Sequence, residues 1–219
     1  MFRTFLFGAV FFFLSYSAQA VSIFDNGGPD GSRGYWSDLS QGQEMADDFT
    51  LLAGSNTIGG VSWSGSYFSN NVPVAVDDFT VRIFSSLAST TPLHSFNVGN
   101  AVGRSDSGID DSTFGLDIYN YSAMLPSLTL TAGTQYWLSV VNDTAGSATD
   151  WLWENSATSG GNAYRTAAAG TWSTGTSELA FNLSGASSTV VPLPAAFPLF
   201  ASGLGLLGLM SWRRKRKAA

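Results

Sequence analysis

Short runs of β-branched and aromatic residues, separated by glycine, asparagine, aspartate and serine, fill the chain between residues 21 and 190. This pattern constrains the fold, because such runs favour strands and their separators favour turns, while helical periodicity is hard to find. At residues 79–84 the sequence F-T-V-R-I-F alternates apolar and polar side chains. A repeat of two is typical of a sheet with one buried face.

The spacing predicts about ten strands at intervals of roughly 8–12 residues, and therefore an all-β fold. We expect an antiparallel β-sandwich, and we prefer a jelly-roll-like topology to an immunoglobulin-like one because of the number of strands. Residues 21–42 are expected to form an irregular lead with one short strand at 22–24. The other predicted strands cover residues 45–51, 57–67, 78–85, 93–98, 114–121, 127–131, 135–142, 151–154, 163–168 and 177–184.

The N-terminus has the three parts of an export signal. Arg3 gives a positive start, an apolar stretch follows, and Ala18 and Ala20 frame an A-x-A cleavage site. Residues 1–20 are therefore predicted to be a signal peptide, which passes the Sec translocon and is removed by signal peptidase. A retained N-terminal anchor is the weaker alternative, because the apolar run is too short to span a bilayer.

The C-terminal segment, residues 191–219, combines a proline-containing motif, an apolar run and a basic end. Residues 195–212 carry no charge, and a helix over them would be about 27 Å long, enough for a thin hydrocarbon core. A buried terminal helix would not explain the basic end, and a plain membrane anchor would not explain the motif. The basic end, expected to stay in the cytoplasm, consists of Arg213, Arg214, Lys215, Arg216 and Lys217.

The tail resembles the PEP-CTERM family of protein-sorting tails, in the variant whose motif reads V-P-L-P-A. The resemblance implies cleavage near the motif by an exosortase, a membrane-embedded cysteine peptidase, in a bacterium with an outer membrane that makes exopolysaccharide. Leu193 stands where the better-known form has glutamate, which bears on the processing enzyme that acts. The matching residues are Val191, Pro192, Leu193, Pro194 and Ala195.

Both ends together predict an exported protein, anchored transiently in the inner membrane and then placed at the surface or outside a Gram-negative cell. The carried domain, residues 21–184, would be followed by a small-residue linker at 185–190. This domain resembles other domains carried by sorting-tail proteins, which implies a secreted β-sandwich and nothing catalytic. The matches are A-D-D-F at 46–49, V-S-W-S-G at 61–65 and D-F-T-V-R-I-F at 78–84, where the aspartate departs slightly from the usual spacing.

Charge and cysteine content exclude several functions. Residues 21–190 hold all 16 acidic residues but only four basic ones, so their net charge is about −12, against −6 for the whole chain. Such a surface repels nucleic acid and anionic lipid, which excludes nucleic-acid binding. The sequence has no cysteine, which removes thiol catalysis and cysteine-based metal sites. We therefore predict that the chain is a non-enzymatic protein associated with exopolysaccharide.

Aromatic residues offer one candidate binding site. Trp151 and Trp153 flank a single residue of a predicted strand, so both rings should project from one face and could stack on sugars, together with Trp172. Core packing of the same rings is the competing interpretation. Trp63 and Trp137 lie in strongly apolar predicted strands and are expected in the core.

Carboxylates offer a second candidate. Asp25 and Asp30 lie in a glycine-rich turn whose oxygens could bind a structural calcium, or could simply cap the turn. No other cofactor is expected. The alternatives to a matrix protein are thus a carbohydrate-binding module and, less favoured, a polysaccharide hydrolase with two facing carboxylates.

Overall fold

The computed structural model describes residues 21–100, 102–166 and 169–186, which belong to a compact unit, Ala20–Ser187. This part of the chain contains thirteen strands, one 3₁₀ turn at Leu39–Gln41 and no α-helix, so the predicted all-β fold is confirmed. The strands are β1 (Ser22–Asp25), β2 (Pro29–Trp36), β3 (Gln43–Thr50), β4 (Thr57–Phe68), β5 (Phe79–Phe84), β6 (His94–Gly99), β7 (Gly103–Asp111), β8 (Leu116–Thr129), β9 (Gln135–Val141), β10 (Asp150–Ser156), β11 (Ala163–Thr166), β12 (Ser173–Thr174) and β13 (Phe181–Gly185).

Two antiparallel sheets form the architecture. In sheet A, β8 pairs along one side of the long strand β4, while β13 and β10 follow one another along its other side. Strands β7, β1 and β2 then pair with β8, β13 and β10. Sheet B has the order β12–β11–β3–β9–β5–β6. The two sheets share one core, which makes the fold a β-sandwich.

Aromatic side chains from both sheets meet in that core. The ring of Trp63 lies 5.2 Å from that of Phe79 on sheet B and stacks on Tyr121 at 5.6 Å, both between centroids. Phe79 also contacts Trp151 edge-on at 5.0 Å. Burial of such large apolar groups is the main stabilising contribution to a sandwich. Trp63 is in the core as predicted, whereas Trp137 is only partly buried, because its position on β9 alternates away from the core-facing residues.

Gly65 makes room for one of these rings. Strands β4 and β10 are paired, and a Cβ built on Gly65 would lie only 2.4 Å from Cζ2 of Trp151. A side chain at this position would overpack the core, a change that costs about 1–3 kcal/mol. The glycine of the V-S-W-S-G segment therefore has a packing role.

Three strands were not predicted. The irregular lead expected for residues 21–42 is wrong, since β2 pairs with β10 in a register that sets Tyr35 opposite Trp153. Strands β7 and β12 are also additional, and β8 runs as one strand of 14 residues where two were expected. Strands β2 and β7 are rich in glycine, serine and aspartate, so their own sequence has little strand propensity. Backbone hydrogen bonds to neighbouring strands hold them in the sheets.

Candidate functional site

The proposed sugar platform at Trp151 and Trp153 is wrong, because both indoles are completely buried. Strand β10 lies between β4 and β2, and its alternate residues face the aromatic core rather than solvent. The Nε1 group of Trp153 donates a hydrogen bond to the carbonyl of Ala180 at 3.0 Å. Core packing, the competing interpretation, is therefore what the structure shows for this pair.

Trp172 lies apart from that pair, against sheet B. Its half-buried ring meets Phe84 edge-on at 5.2 Å, and the guanidinium of Arg165 lies 4.6 Å from its centroid. Its Nε1 donates to the carbonyl of Ser89 at 3.3 Å. Trp172 thus covers a buried arginine and does not form a flat platform with the other two tryptophans.

The two aspartates suggested for calcium are exposed and stabilise turns. Oδ1 of Asp25 accepts a hydrogen bond from the backbone of Gly27 at 2.9 Å, and Oδ1 of Asp30 accepts one from Ser32 at 2.8 Å. Both contacts span two residues, as in Asx turns. Within the described ranges, neither residue belongs to a group of three or more potential metal-ligating side chains. Calcium binding there stays a prediction.

The structure gathers a different acidic cluster, Asp47, Asp48 and Glu178, whose ligand oxygens lie within 4.8 Å of one another. The Asn26 amide donates to Oδ2 of Asp47 at 3.1 Å and to Oε2 of Glu178 at 2.8 Å. Burial raises the pKa of Asp47 to about 9, with the charge of Glu178 adding to the shift and the Leu179 N–H opposing it. The raised pKa favours the protonated form of Asp47 at neutral pH, and a cation here would have to displace both that proton and the amide of Asn26.

Glu154 is a second carboxyl group with a displaced pKa. Ser66 donates to its Oε1 at 2.5 Å, whereas Oε2 has no hydrogen-bond partner in the described part of the chain. Burial raises the pKa of Glu154 to about 8; the hydrogen bond from Ser66 opposes the shift, and the charge of Asp111 adds to it. The side chain is completely buried, so it is unsuited to general acid chemistry, which requires contact with a substrate.

A groove opens where the edges of the two sheets meet, and we call it the edge groove. Its volume is about 460 Å³, within the usual range of small-molecule sites. Strand β2 supplies one wall from sheet A, and β3, β11 and β12 supply the other from sheet B. The groove is lined by Tyr35, Trp36, Gln43, Met45, Asn162, Tyr164, Thr174, Gly175 and Thr176.

Neighbouring side chains fix the aromatic residues of the edge groove. The guanidinium of Arg33 lies 4.6 Å from the centroid of Tyr35, and the ring of Trp36 contacts Phe68 edge-on at 5.4 Å. Tyr164 pairs across the strands with Met45, and 40 % of its surface stays exposed. Tyr35 packs partly against the core, so the exposed aromatic surface of the groove comes mainly from Tyr164.

Two neutral carboxamides and a glycine complete the groove. The backbone carbonyl of Asn162 accepts a hydrogen bond from the backbone N–H of Gly175 at 2.8 Å. A Cβ on Gly175 would lie 2.2 Å from Oδ1 of Asn162, so only glycine leaves this space to the amide. The only polar contact of the Gln43 amide among the described residues is a weak one, 3.6 Å to the sulfur of Met45. No lining residue is charged.

Sequence reasoning missed this groove because two of its nine lining residues, Tyr35 and Trp36, lie on β2, a segment taken to be irregular. The adjacent Tyr35 and Trp36, at the end of a glycine-rich stretch, were the one available signal. Tyr164 lies in a predicted strand, but nothing in its sequence spacing relates it to β2. Their proximity depends on the pairing of each strand within its own sheet and on the packing of the sheets.

The predicted end signals lie outside the described residues. This applies to Ala18, Ala20, the motif at 191–195, the apolar stretch 195–212 and the basic end at 213–217. In the part of the chain that the structure describes, no helix has the length and hydropathy of a membrane span. Comparison with protein-family models, with curated proteins and with solved structures finds no match for this chain.

Proposed function

We propose that the chain is an exported, non-enzymatic β-sandwich protein, sorted by an exosortase through its C-terminal tail and placed in the exopolysaccharide around the cell. The observation that carries this proposal is the position of the compact unit Ala20–Ser187, which lies between the two predicted end signals. An all-β unit with its own aromatic core is suited to existence outside the cell without disulfides.

The proposed path of export and sorting follows from the two ends of the sequence. The signal peptide directs the chain to the Sec translocon, and signal peptidase cuts after Ala20. The helix over 195–212 then holds the precursor in the inner membrane until the exosortase acts near 191–195. The mature protein reaches the surface or the surrounding matrix of a Gram-negative cell.

The environments of the carboxyl groups support a non-enzymatic function. The carboxyl groups of Asp47 and Glu154 have raised pKa values, and both side chains are completely buried. No aspartate or glutamate lines the edge groove, so two carboxylates do not face each other across it, as a hydrolase of the usual kind requires.

The finer topology that we propose is jelly-roll-like. Its support is the way the chain alternates between sheets: β3 lies in sheet B, β4 in A, β5 and β6 in B, β7 and β8 in A, β9 in B and β10 in A. Such crossings are typical of sandwiches built from Greek keys. An experimental structure of the mature protein would test the connections.

Deletion of residues 191–219 tests the sorting proposal. In a Gram-negative host with an exosortase, the full chain should lose both ends and reach the surface, whereas the deleted chain should remain periplasmic. A matched variant, Pro192→Ala with Pro194→Ala, keeps the apolar span and the basic end. It should stay in the inner membrane with its tail attached. Unchanged localisation and unchanged mature mass in both variants would overturn the proposal.

A further inference from the structure

We propose that the edge groove is a binding site for a short segment of an uncharged polysaccharide. The inference names a partner class for the proposed matrix function and rests on that function for its setting. Its starting point is chemical: the groove joins aromatic surface to neutral hydrogen-bonding groups, with no charged residue among those that line it. Sugars need both kinds of contact, because their rings have apolar faces and their edges carry hydroxyl groups.

The aromatic part of the groove supplies the stacking surface. Tyr164 is 40 % exposed although its strand is paired on both sides, so the fold leaves this ring in solvent. Tyr35 lines the groove from the other sheet, but its ring packs partly against the core and lies under the guanidinium of Arg33, so Tyr164 is the principal stacking ring. Aromatic rings kept in place by their neighbours bind a planar apolar face with little loss of side-chain entropy.

The polar part of the groove matches hydroxyl groups. The amide of Gln43 can donate and accept hydrogen bonds, as can the hydroxyl groups of the exposed residues Thr174, Thr176 and Tyr164, whereas Asn162 is only 2 % exposed. A sugar hydroxyl also does both, so the groups complement one another without any net charge. Carboxylate or phosphate ligands would instead require arginine or lysine, and neither lines the groove.

The charge of the whole domain selects against acidic polymers. Residues 21–190 carry a net charge of about −12, which repels a polyanion at low salt. A neutral polymer escapes this repulsion and has no strong dependence of its affinity on salt. The groove and the domain charge thus point to the same class of ligand, neutral glycans.

Affinity electrophoresis of the purified full chain tests the inference. The chain is kept in a zwitterionic detergent, because a detergent with a sugar head group would compete for the groove. Gels contain dextran, galactomannan or xyloglucan as neutral polymers, and alginate as the anionic one. We expect retardation by at least one neutral polymer, at both low and high salt, and none by alginate. No retardation by any neutral polymer would overturn the proposal, as would retardation by alginate alone.

Variants locate the binding on the groove. Tyr164→Ala should weaken the affinity about tenfold, equivalent to about 1.4 kcal/mol, and Tyr164→Phe should keep most of it if stacking dominates. Met124→Ala removes another exposed apolar side chain, 68 % exposed on β8, and should bind like the wild type. Equal retardation of wild type and Tyr164→Ala would overturn the assignment to this groove. Unchanged thermal melting shows that each variant is folded.

Two readouts separate this inference from the proposed function. Binding is measured on purified protein, so a failure of sorting in cells leaves it unaffected. Release of reducing ends from the bound polymer is followed in the same samples, and none is expected. Turnover of the polymer would overturn both the binding-only inference and the non-enzymatic function, whereas loss of retardation alone would leave the sorting proposal standing.

Discussion

Burial in this sandwich raises the pKa of individual carboxyl groups. Asp47 and Glu154 are both completely buried, and desolvation raises their pKa values to about 9 and about 8. Each keeps a proton that an exposed acidic residue would lose at neutral pH. In the folded state the protons serve stability, because they let two carboxyl groups stay in the interior without charge.

Stability should therefore depend on pH through these two residues. Asp47 goes from a pKa of 3.8 in the unfolded chain to about 9 in the folded one, and Glu154 goes from 4.5 to about 8. The folded state binds more protons, so the stabilisation is complete below about pH 4 and is lost as the pH rises toward 9. Urea unfolding between pH 4 and pH 9 should show a falling free energy of unfolding.

Asp47→Asn provides the control for this pH dependence, since it keeps the shape of the side chain and removes the titrating proton, although it replaces one accepting oxygen with a donating NH2 group. The decline should become shallower in that variant, and shallower again with Glu154→Gln added. A free energy of unfolding that stays level or rises from pH 5 to pH 9 in the wild type would contradict the expectation. So would a calcium-dependent rise in melting temperature that Asp47→Asn abolishes, because calcium would then replace the proton.

Strands of sheet B are tied together on their outer face by one carboxylate. Oε2 of Glu44, on β3, accepts a hydrogen bond from Nε of Arg165 of β11 at 2.8 Å and forms an ion pair with Arg82 of β5 at 2.9 Å. Its Oε1 accepts from the hydroxyl of Ser139, on β9, at 2.6 Å. Four neighbouring strands thus meet at one residue, and the guanidinium of Arg165 lies under the ring of Trp172.

Glu44→Gln should destabilise the domain by about 3–5 kcal/mol, because it leaves the buried guanidinium of Arg165 without a counter-charge. Arg165→Met should cost a similar amount, and the double variant should cost clearly less than the two single changes combined. Arg82→Met should cost less than Arg165→Met, because Arg82 is 16 % exposed and Arg165 only 1 %. Denaturant unfolding measures all four, and additive costs would show that the residues are not coupled.

Strand prediction succeeded where a segment has apolar alternation or an apolar run in its own sequence. It failed where a segment becomes a strand only by pairing with an adjacent strand. The alternation in β5 and the apolar run of β4 are visible in the sequence, and both strands were predicted within two residues. Segments such as P-D-G-S-R-G-Y-W in β2 have no such pattern, and pairing with β10 makes them strands. The edge groove depends on β2, so it could not be predicted. Trp151 shows the same limit, because alternation fixes which residues share a face but not which face is buried.

At the scale of the whole molecule, the excess of acidic over basic residues determines the electrostatic field at the surface. Between residues 21 and 190 every basic residue is an arginine, and three of the four are held by carboxylates: Arg82 and Arg165 by Glu44, and Arg104 by Asp77 at 2.9 Å. The fourth, Arg33, packs over the ring of Tyr35. The excess of acidic residues therefore dominates the surface field, which favours solubility and opposes association with anionic polymers.

Processing at both ends should make the protein more acidic. The two end segments contain six basic residues and no acidic one, so their removal takes the net charge from −6 to about −12. Isoelectric focusing should place the mature form at a lower pH than the precursor, together with a lower mass. A chain with the C-terminal tail blocked from cleavage should focus between the two. Identical positions for precursor and mature form would show that the basic ends are retained.

The placement of the four arginines also bears on survival outside the cell. A trypsin-like protease cuts after arginine or lysine, and residues 21–190 offer it only Arg33, Arg82, Arg104 and Arg165. Arg82, Arg104 and Arg165 lie at paired positions of β5, β7 and β11, where the backbone cannot adopt the open form that a protease cleft requires, whereas Arg33 lies where the pairing of β2 with β10 shifts register. At these three arginines digestion must wait for a sheet to open, so for a protein exported as proposed the rate of strand separation limits cleavage there.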